Sequence, residues 1–184
     1  MYPSSPEAVL LVDGYNIIGA WHHLKKTRDA DGLEAARWQL IDALINYSAY
    51  KNFATQIVFD AQYQQTPGVQ EIKTENLVVC YTNFNETADT YIEKACAAYF
   101  RKYIHAGLSR LIVATSDRTQ QLMVVGYGAE WMSAQQLRCE VESTMTKTRR
   151  QQKPRKQSAS RFLANSIDAK ARASLAQMRN GLKS

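Results

Sequence analysis

Three short apolar stretches that each end in an aspartate constrain the fold of this chain more than any other feature. They occupy residues 9–13, 57–60 and 111–117. Each stretch is too short for a helix and is apolar on both faces, as in strands of a parallel sheet covered by helices. The segments between them are long enough to hold crossover helices. The sequence therefore predicts an α/β fold with a mainly parallel central sheet.

The acids that end these stretches are expected to lie close together. Asp13, Asp60 and Asp117 should all emerge at the carboxyl ends of the strands, which is the edge of an open parallel sheet where ligands bind. A fourth acid, Asp89, stands near the start of a helix that follows another apolar stretch at residues 77–81. Four carboxylates from four segments are therefore predicted to share one site.

Two glutamates flank Asp89 at helical spacing. Glu86, Asp89 and Glu93 fall at i, i+3 and i+7, on one face of a helix, so Glu86 and Glu93 are candidates to support the site. The other interpretation is that acids near a helix N-terminus complement its dipole, or that each glutamate is a cap or an ion-pair partner. Spacing alone leaves both interpretations open.

Crowded carboxylates predict a metal ion and a hydrolytic reaction. Like charges a few ångströms apart cannot all stay ionised unaided, and a divalent cation removes the conflict. Ligands that are all oxygen favour Mg²⁺ or Mn²⁺ over zinc, and a metal-activated water beside a phosphodiester hydrolyses it. We expect Asp13, Asp89 and Asp117 to contact the metal directly or through water. Asp60 is expected to complete the acidic pocket.

Two polar residues next to these aspartates are predicted to orient water or a phosphate oxygen. Asn16 follows Asp13 by three residues, and Ser116 directly precedes Asp117. Simpler roles fit the same positions. Asn16 could satisfy the backbone of a turn, and Ser116 or Asp117 could cap the following helix.

The positive charge of the chain is concentrated at its C-terminal end. The net charge is +6, but residues 145–184 hold eleven Lys and Arg and one acid, so the preceding part is mildly acidic. Such a basic segment can neutralise RNA phosphates on either side of an acidic centre without reading sequence. The residues predicted to bind RNA are Lys147, Arg149, Arg150, Lys153, Arg155 and Lys156.

The length and composition favour one α/β domain followed by an appendage. We predict a domain at residues 1–146, then a basic linker from residue 147 and a last helix that begins at Ser160. Within the domain, polar loops are expected at residues 21–28 and 61–76, a short edge strand at 130–132 and a helix at 134–147.

The cysteines and the hydropathy of the chain indicate the cellular compartment in which the protein is expected. Three widely spaced cysteines without metal-binding spacing are expected to be buried thiols in a reducing cytoplasm. No apolar run reaches the length that crosses a bilayer, and no G-x-G-x-x-G follows the first strand. We therefore expect a soluble cytoplasmic protein that binds neither a membrane nor a nucleotide cofactor.

Four motifs, in this order, resemble those of YacP-like NYN domains, which are relatives of PIN-domain nucleases. They are Val-Asp-Gly-Tyr-Asn at residues 12–16, Phe-Asp-Ala at 59–61, Asn-Glu-Thr-Ala-Asp at 85–89 followed by Ile-Glu at 92–93, and Thr-Ser-Asp at 115–117. The resemblance covers residues 8–145. It implies a three-layer α/β/α PIN-like domain, Mg²⁺ or Mn²⁺ at the carboxylates, and endonucleolytic cleavage of RNA. Characterised relatives act on messenger RNA in association with translating ribosomes, so the implied partners are mRNA and the ribosome.

Three other functions compete with a ribosome-associated nuclease. The chain could be a non-catalytic RNA-binding or ribosome-binding module, or a nuclease that processes rRNA or tRNA. An aspartate-dependent phosphatase with Asp13 as nucleophile is disfavoured, because that chemistry usually needs a second aspartate two residues on, where this chain has Tyr15. RNA cleavage that is lost on Asp13→Asn would separate the nuclease from the binding module.

Overall fold

The computed structural model describes residues 5–60, 68–103 and 110–152. This part of the chain contains six strands and six helices. The strands are β1 (Ala8–Asp13), β2 (Phe53–Phe59), β3 (Gln70–Thr74), β4 (Leu77–Tyr81), β5 (Arg110–Ala114) and β6 (Glu130–Met132). The helices are α1 (Gly14–Ala20), α2 (His22–Asp31), α3 (Leu33–Lys51), α4 (Ala88–Tyr103), α5 (Arg118–Gly126) and α6 (Ala134–Gln152).

The strands form one sheet in the order β3-β4-β2-β1-β5-β6. β1 lies in the middle and pairs in parallel with β2 and β5, and β4 and β6 extend the parallel sheet on either side. β3, at one edge, runs antiparallel to β4. The prediction of an α/β fold with a mainly parallel sheet is confirmed.

Helices cover both faces of the sheet because the central strands are apolar on both faces. Along β1, Leu10 and Val12 pack into one core with residues of α1, α2, α3 and α6, whereas Leu11 packs into a second core with residues of α4 and α5. All three side chains are buried. The result is the three-layer α/β/α arrangement that the resemblance implied.

The register of the central strands brings the predicted site residues to one edge. Asp13 of β1 lies opposite Val58 of β2, and Val12 lies opposite Ala114 of β5. Asp60 directly follows β2, and Asp117 follows β5 after two intervening residues. Three segments that are far apart in the sequence therefore meet at the carboxyl ends of neighbouring strands.

Two segments predicted to be polar loops contain regular structure. Most of the predicted loop at residues 21–28 belongs to α2, whose one buried residue is Leu24. Residues 70–74 form β3, an edge strand whose side chains are exposed or half-buried, so no apolar pattern marks it in the sequence. Residues 61–67 of the second predicted loop lie outside the described residues.

The last described helix ends later than predicted. The sequence predicts that α6 stops at residue 147, but α6 continues to Gln152, because Lys, Arg and Gln favour helices and the next proline along the chain is Pro154. Residues 1–148 form one compact unit and residues 149–184 another, of which residues 149–152 are described. The predicted helix from Ser160 lies outside the described residues, and the division at residue 147 stays a prediction.

Two further expectations concern the burial of the cysteine thiols and the absence of membrane-spanning segments. Cys80 and Cys96 are buried as expected, but Cys139 is exposed on α6, so the expectation that all three are buried is wrong. Cys139 lies on a helix with a largely polar surface, which explains its exposure. None of the helices in the described ranges is long and apolar enough to cross a membrane.

Candidate active site

A cavity of about 530 Å³ opens at the edge of the sheet where β1, β2 and β5 end. We call this space the acidic cavity, and its volume is typical of sites for small ligands. Its lining contains Asp13, Asp60, Asp89, Asp117 and Asn16, all of them predicted site residues. The other lining residues are Tyr15, Ile18, Arg28, Leu33, Thr87 and Ala88.

Asp13 is the most buried of the four carboxylates, because it ends the central strand and also caps the next helix. It accepts a hydrogen bond from the backbone N–H of Asn16 at 3.1 Å and is 7% exposed. Gly14 permits the close approach of this turn to the sheet, since a Cβ at that position would lie 2.2 Å from the ring of Phe59. The local sequence therefore fixes Asp13 at the floor of the acidic cavity.

The environment of Asp13 disfavours its charged form. Burial raises the pKa of Asp13 to about 6, and the charges of Asp89 and Asp117 add to the rise. Hydrogen bonds from the Asn16 backbone and the Gln120 side chain oppose it. Strongly perturbed pKa values in a cleft are more frequent at functional sites than elsewhere. The acidic cavity is thus a site that would gain from a bound cation.

Gln120 links two of the aspartates. Its side-chain amide donates a hydrogen bond to Asp89 Oδ1, and it is also hydrogen-bonded to Asp13. The residue is 3% exposed, and its Oε1 atom has no hydrogen-bond partner in the described part of the chain. This buried amide therefore holds two like-charged groups near each other.

Asp89 and Asp117 each lie at the start of a helix. Asp89 is in the first turn of α4, and burial raises its pKa, with further contributions from the charges of Asp117 and Asp60. Asp117 is the N-cap of α5 and accepts hydrogen bonds from the backbone N–H groups of Thr119 at 2.7 Å and Gln120 at 3.0 Å. The capping role left open for Asp117 is therefore present, and the same residue also lines the acidic cavity.

Asn16 and Ser116 connect the ends of β1 and β5. Asn16 Oδ1 accepts a hydrogen bond from the backbone N–H of Ser116 at 2.6 Å. The Ser116 hydroxyl accepts one from the backbone N–H of Ala134 at 3.3 Å. Neither bond is the simpler role left open for these residues, since Asn16 bonds the end of β5 rather than its own turn, and Ser116 bonds the start of α6 whereas Asp117 caps α5. A part in orienting water or phosphate stays a prediction for both.

Glu86 and Glu93 do not line the acidic cavity. Glu86 forms an ion pair with Lys94 at 2.7 Å, and this contact lowers the pKa of Glu86. Glu93 is exposed and accepts a hydrogen bond from the Tyr127 hydroxyl at 3.2 Å. Glu86 precedes the first residue of α4, so the expected helical face of three acids is not formed. These contacts agree with the other interpretation left open for Glu86, an ion-pair partner, and a supporting part in the site stays a prediction for both glutamates.

Comparison with known proteins assigns the chain to a family. Residues 10–180 match the YacP-like NYN domain. The chain belongs to the YacP-like NYN domain family. It is 40% identical to the uncharacterized protein YacP of Bacillus subtilis (strain 168) over 136 residues, which are 73% of this chain and 75% of that protein.

Two crystal structures of Rae1 (YacP) from Bacillus subtilis resemble this NYN domain. One, of a mutant, aligns with a TM-score of 0.63 at 37% identity and covers 77% of this chain and 79% of Rae1. The other aligns with a TM-score of 0.61 at 32% identity and covers 95% of this chain and 90% of Rae1. The chain therefore has the PIN-like, nuclease-type fold of its family.

Two residues of the NYN domain that lie at the site were not predicted from the sequence. They are Gln120, which bonds Asp13 and Asp89, and Arg28, which lines the acidic cavity. Gln120 follows Asp117 by three residues, and this position in the first turn of a helix was the available signal. Arg28 lines the acidic cavity and forms an ion pair with Asp29 at 2.8 Å. It was expected in a polar loop, and only the helical conformation of α2 brings it to the cavity.

Three of the six predicted RNA-binding residues of this NYN domain chain lie in the part that the structure describes. Lys147, Arg149 and Arg150 are exposed near the C-terminal end of α6. The other three lie outside the described residues, and they are Lys153, Arg155 and Lys156. Their contact with RNA stays a prediction.

The acidic cavity of the NYN domain contains oxygen ligands, but the described residues do not form a complete set of metal ligands. Within residues 5–60, 68–103 and 110–152, no group of three His, Cys, Asp or Glu side chains is arranged to hold a metal ion. Carboxylates suit Mg²⁺ or Mn²⁺, and Mg²⁺ usually keeps several of its waters. The unpartnered Oε1 of Gln120 is the kind of buried acceptor that a water or an ion satisfies. The residues present therefore fit a hydrated cation that is held partly through water.

Proposed function

We propose that this protein is an endoribonuclease that hydrolyses RNA phosphodiester bonds at the acidic cavity with Mg²⁺ or Mn²⁺. The main support is that four aspartates from four separate segments line one cavity at the carboxyl edge of a PIN-like sheet. The raised pKa values of Asp13 and Asp89 reflect burial together with repulsion among these acids. A bound cation would offset both effects.

The residues of the cavity have distinct parts in the proposed reaction. Asp13, Asp89 and Asp117 would hold the cation directly or through water, with Asp60 beside them. The bound ion supplies a water of lowered pKa and stabilises negative charge on the phosphate. Gln120 keeps the carboxylates of Asp13 and Asp89 in position.

The substrate must approach an acidic site, and two features would assist it. Arg28 brings a positive charge to the wall of the cavity, where it can contact a phosphate oxygen. The exposed Lys147, Arg149 and Arg150 can neutralise phosphates of the same RNA. Hydrolysis then joins a water oxygen to phosphorus and breaks the P–O bond to one neighbouring nucleotide, which takes up a proton.

We further propose mRNA on translating ribosomes as the substrate and the cytoplasm as the location. The support for the substrate is the resemblance of the four motifs to those of relatives that act in this way. Three free cysteines fit a reducing compartment, and they are Cys80, Cys96 and Cys139.

The test is RNA cleavage by the wild-type protein and by Asp13→Asn. Labelled mRNA, free or on translating ribosomes, is incubated with each protein in Mn²⁺, Mg²⁺ or EDTA, with rRNA and tRNA as further substrates. We expect products from the wild type only when the metal is present. Asp13→Asn should lose activity on the order of a hundredfold or more, because several kcal/mol of transition-state stabilisation depend on the metal. The control Asp42→Asn changes an exposed acid on α3 and should cleave normally.

A non-catalytic RNA-binding module is the second candidate. The observation that favours it is that the described residues contain no group of three potential ligands arranged to hold a metal ion. Binding without cleavage by the wild type, on free RNA and on ribosomes alike, would refute the nuclease and support this alternative.

A further inference from the structure

A second cavity, of about 360 Å³, lies between α3 and the edge of the sheet formed by β3 and β4. We call it the aromatic groove. Its walls include Glu34, Arg37 and Trp38 from α3, Glu71 and Lys73 from β3, and Tyr81 from β4. Neither the four motifs nor the acidic cavity accounts for this group of residues.

The groove combines aromatic rings with cations. Trp38 is 57% exposed, and Lys73 Nζ lies 4.8 Å from the centre of its ring. The guanidinium carbon of Arg37 lies 5.8 Å from the centre of the Tyr81 ring. Lys73 Nζ lies over one face of the Trp38 ring, and the rest of the exposed indole offers a flat aromatic surface of the kind on which nucleic acid bases stack beside cationic side chains.

The charges in the groove favour a base over a phosphate as its ligand. Arg37 and Lys73 are balanced by Glu34 and Glu71, and Lys73 pairs with Glu71 at 2.6 Å. A wall with no net charge gives a phosphate little attraction. It does offer both donors and acceptors next to a ring face, which is what the edge and face of a nucleobase require.

The groove is connected to the acidic cavity through shared contacts. Tyr15 lines the acidic cavity, and its hydroxyl accepts a hydrogen bond from Arg37 of the groove at 3.2 Å. The Tyr15 ring lies 5.1 Å from that of Phe59, which stacks on Tyr81 of the groove at 5.8 Å. The two cavities therefore adjoin, and one RNA strand can reach both.

We infer that the aromatic groove binds an unpaired base of the RNA strand, next to the phosphodiester in the acidic cavity, with Trp38 as the stacking surface. This inference rests on the proposed function, because it takes RNA as the ligand. It assigns to α3 and β3 a role in selecting single-stranded RNA, since a base inside a duplex is not free to enter the groove.

Binding to a short single-stranded RNA tests the inference without relying on cleavage. Labelled RNA is titrated with Asp13→Asn protein in EDTA, and anisotropy gives the dissociation constant. In this background, Trp38→Ala should weaken binding about five- to a hundredfold, the range for removing one stacked base from an aromatic side chain. Trp38→Phe should retain most of the affinity because it keeps a ring. Tyr50→Ala is the matched control, since Tyr50 is 44% exposed on the same helix but does not line the groove.

An RNA with one abasic position distinguishes base stacking from backbone contact. Scanning the abasic site along the strand should reveal one position that weakens binding to the Asp13→Asn protein, and this penalty should disappear when Trp38→Ala is added. The tryptophan fluorescence should also change on saturation with intact RNA, because Trp38 is the most exposed of the three tryptophans, compared with Trp131 at 38% and Trp21 at 2%.

The outcomes separate the groove from the nuclease. If Trp38→Ala, with unchanged thermal stability, binds RNA as tightly as its parent and the abasic penalty persists, the inference is wrong even if the wild type cleaves RNA. If the wild type never cleaves RNA but Trp38→Ala weakens binding as described, the groove is supported and the nuclease is refuted.

Discussion

Asp13 has a pKa of about 6 mainly because it is buried, and nearby acids add to the effect. The unfolded chain releases the same proton near the ordinary value of 3.8. The folded protein therefore binds this proton more tightly than the unfolded chain does. The contribution of Asp13 to stability is then greatest below about pH 4 and is lost as the pH rises to about 6. The buried charge is costly at neutral pH unless a cation offsets it.

We predict that Asp13→Asn stabilises the metal-free protein above about pH 6. Asparagine keeps an acceptor for the Asn16 N–H but removes the buried charge. The gain should approach about 3 kcal/mol near pH 8, at about 1.36 kcal/mol per pKa unit, and should be small near pH 4. Thermal unfolding in EDTA at both pH values measures it, with Asp42→Asn as the exposed control. Equal stability of wild type and Asp13→Asn near pH 8 would contradict the prediction.

We expect Gln120→Met to weaken metal binding and RNA cleavage while leaving the fold intact. Methionine fills a similar volume but cannot hold the carboxylates of Asp13 and Asp89, so activity should fall roughly ten- to a hundredfold, as for other residues that orient metal ligands. The half-saturating Mn²⁺ concentration should rise, and a purely structural role would not change it. Gln121→Met, at the half-buried neighbouring glutamine, is the control. An unchanged Mn²⁺ dependence would show that Gln120 does not position the acids.

At the residue scale, the sequence identified what lies at the ends of strands. Asp13 ends β1, Asp60 directly follows β2 and Asp117 follows β5 after two residues, so their meeting point depends only on parallel pairing. Gln120 and Arg28 could not be identified in this way, because their positions depend on how α5 and α2 pack. A glutamine or arginine on a helix is usually exposed, and the one signal for Gln120, its place three residues after Asp117, does not show that it is buried.

At the scale of elements, the N-terminus of α5 combines a structural and a proposed chemical role in Asp117. Its carboxylate accepts two backbone hydrogen bonds and faces the acidic cavity. α2 and β3 show the limit of pattern recognition, since α2 buries one side chain, that of Leu24, and the side chains of β3 are exposed or half-buried. β3 also has an irregular register between Ile72 and Thr74, which removes the regular alternation expected of a strand.

Substitution of Asp117 separates its two roles. Asparagine caps helices about as well as aspartate, whereas alanine loses about 1 kcal/mol of stability. We expect Asp117→Asn and Asp117→Ala to lose RNA cleavage equally, and only Asp117→Ala to be less stable in denaturant unfolding. Full cleavage by Asp117→Asn would mean that the residue is a cap and no more.

At the scale of the whole molecule, the charge is divided between an acidic centre and a basic C-terminal segment. Residues 145–184 hold eleven of the 23 Lys and Arg, and the acidic cavity holds four aspartates. The basic segment attracts a polyanion such as RNA, whereas the aspartates of the acidic cavity repel it. Salt should therefore weaken RNA binding mainly through the basic segment.

We predict that Arg149→Gln/Arg150→Gln weakens RNA binding and reduces its salt dependence. The slope of log K against log salt should fall by up to about 0.7 for each phosphate of a single strand that the variant no longer neutralises. Anisotropy titrations at several salt concentrations, in the Asp13→Asn background, measure the change. The matched control neutralises two exposed cations of α2, Lys25→Gln/Lys26→Gln. Equal effects of the two double variants would show that the C-terminal segment has no special role.

The central position of β1 has a consequence for how the protein is made. β1 is first in the chain, yet its two partners in the sheet begin at Phe53 and Arg110. During synthesis, Asp13 therefore leaves the ribosome well before the residues that complete its surroundings, among them Asp117. On the proposed function, a nascent polypeptide cannot cut RNA until β5 and Asp117 have also been synthesised and paired with β1.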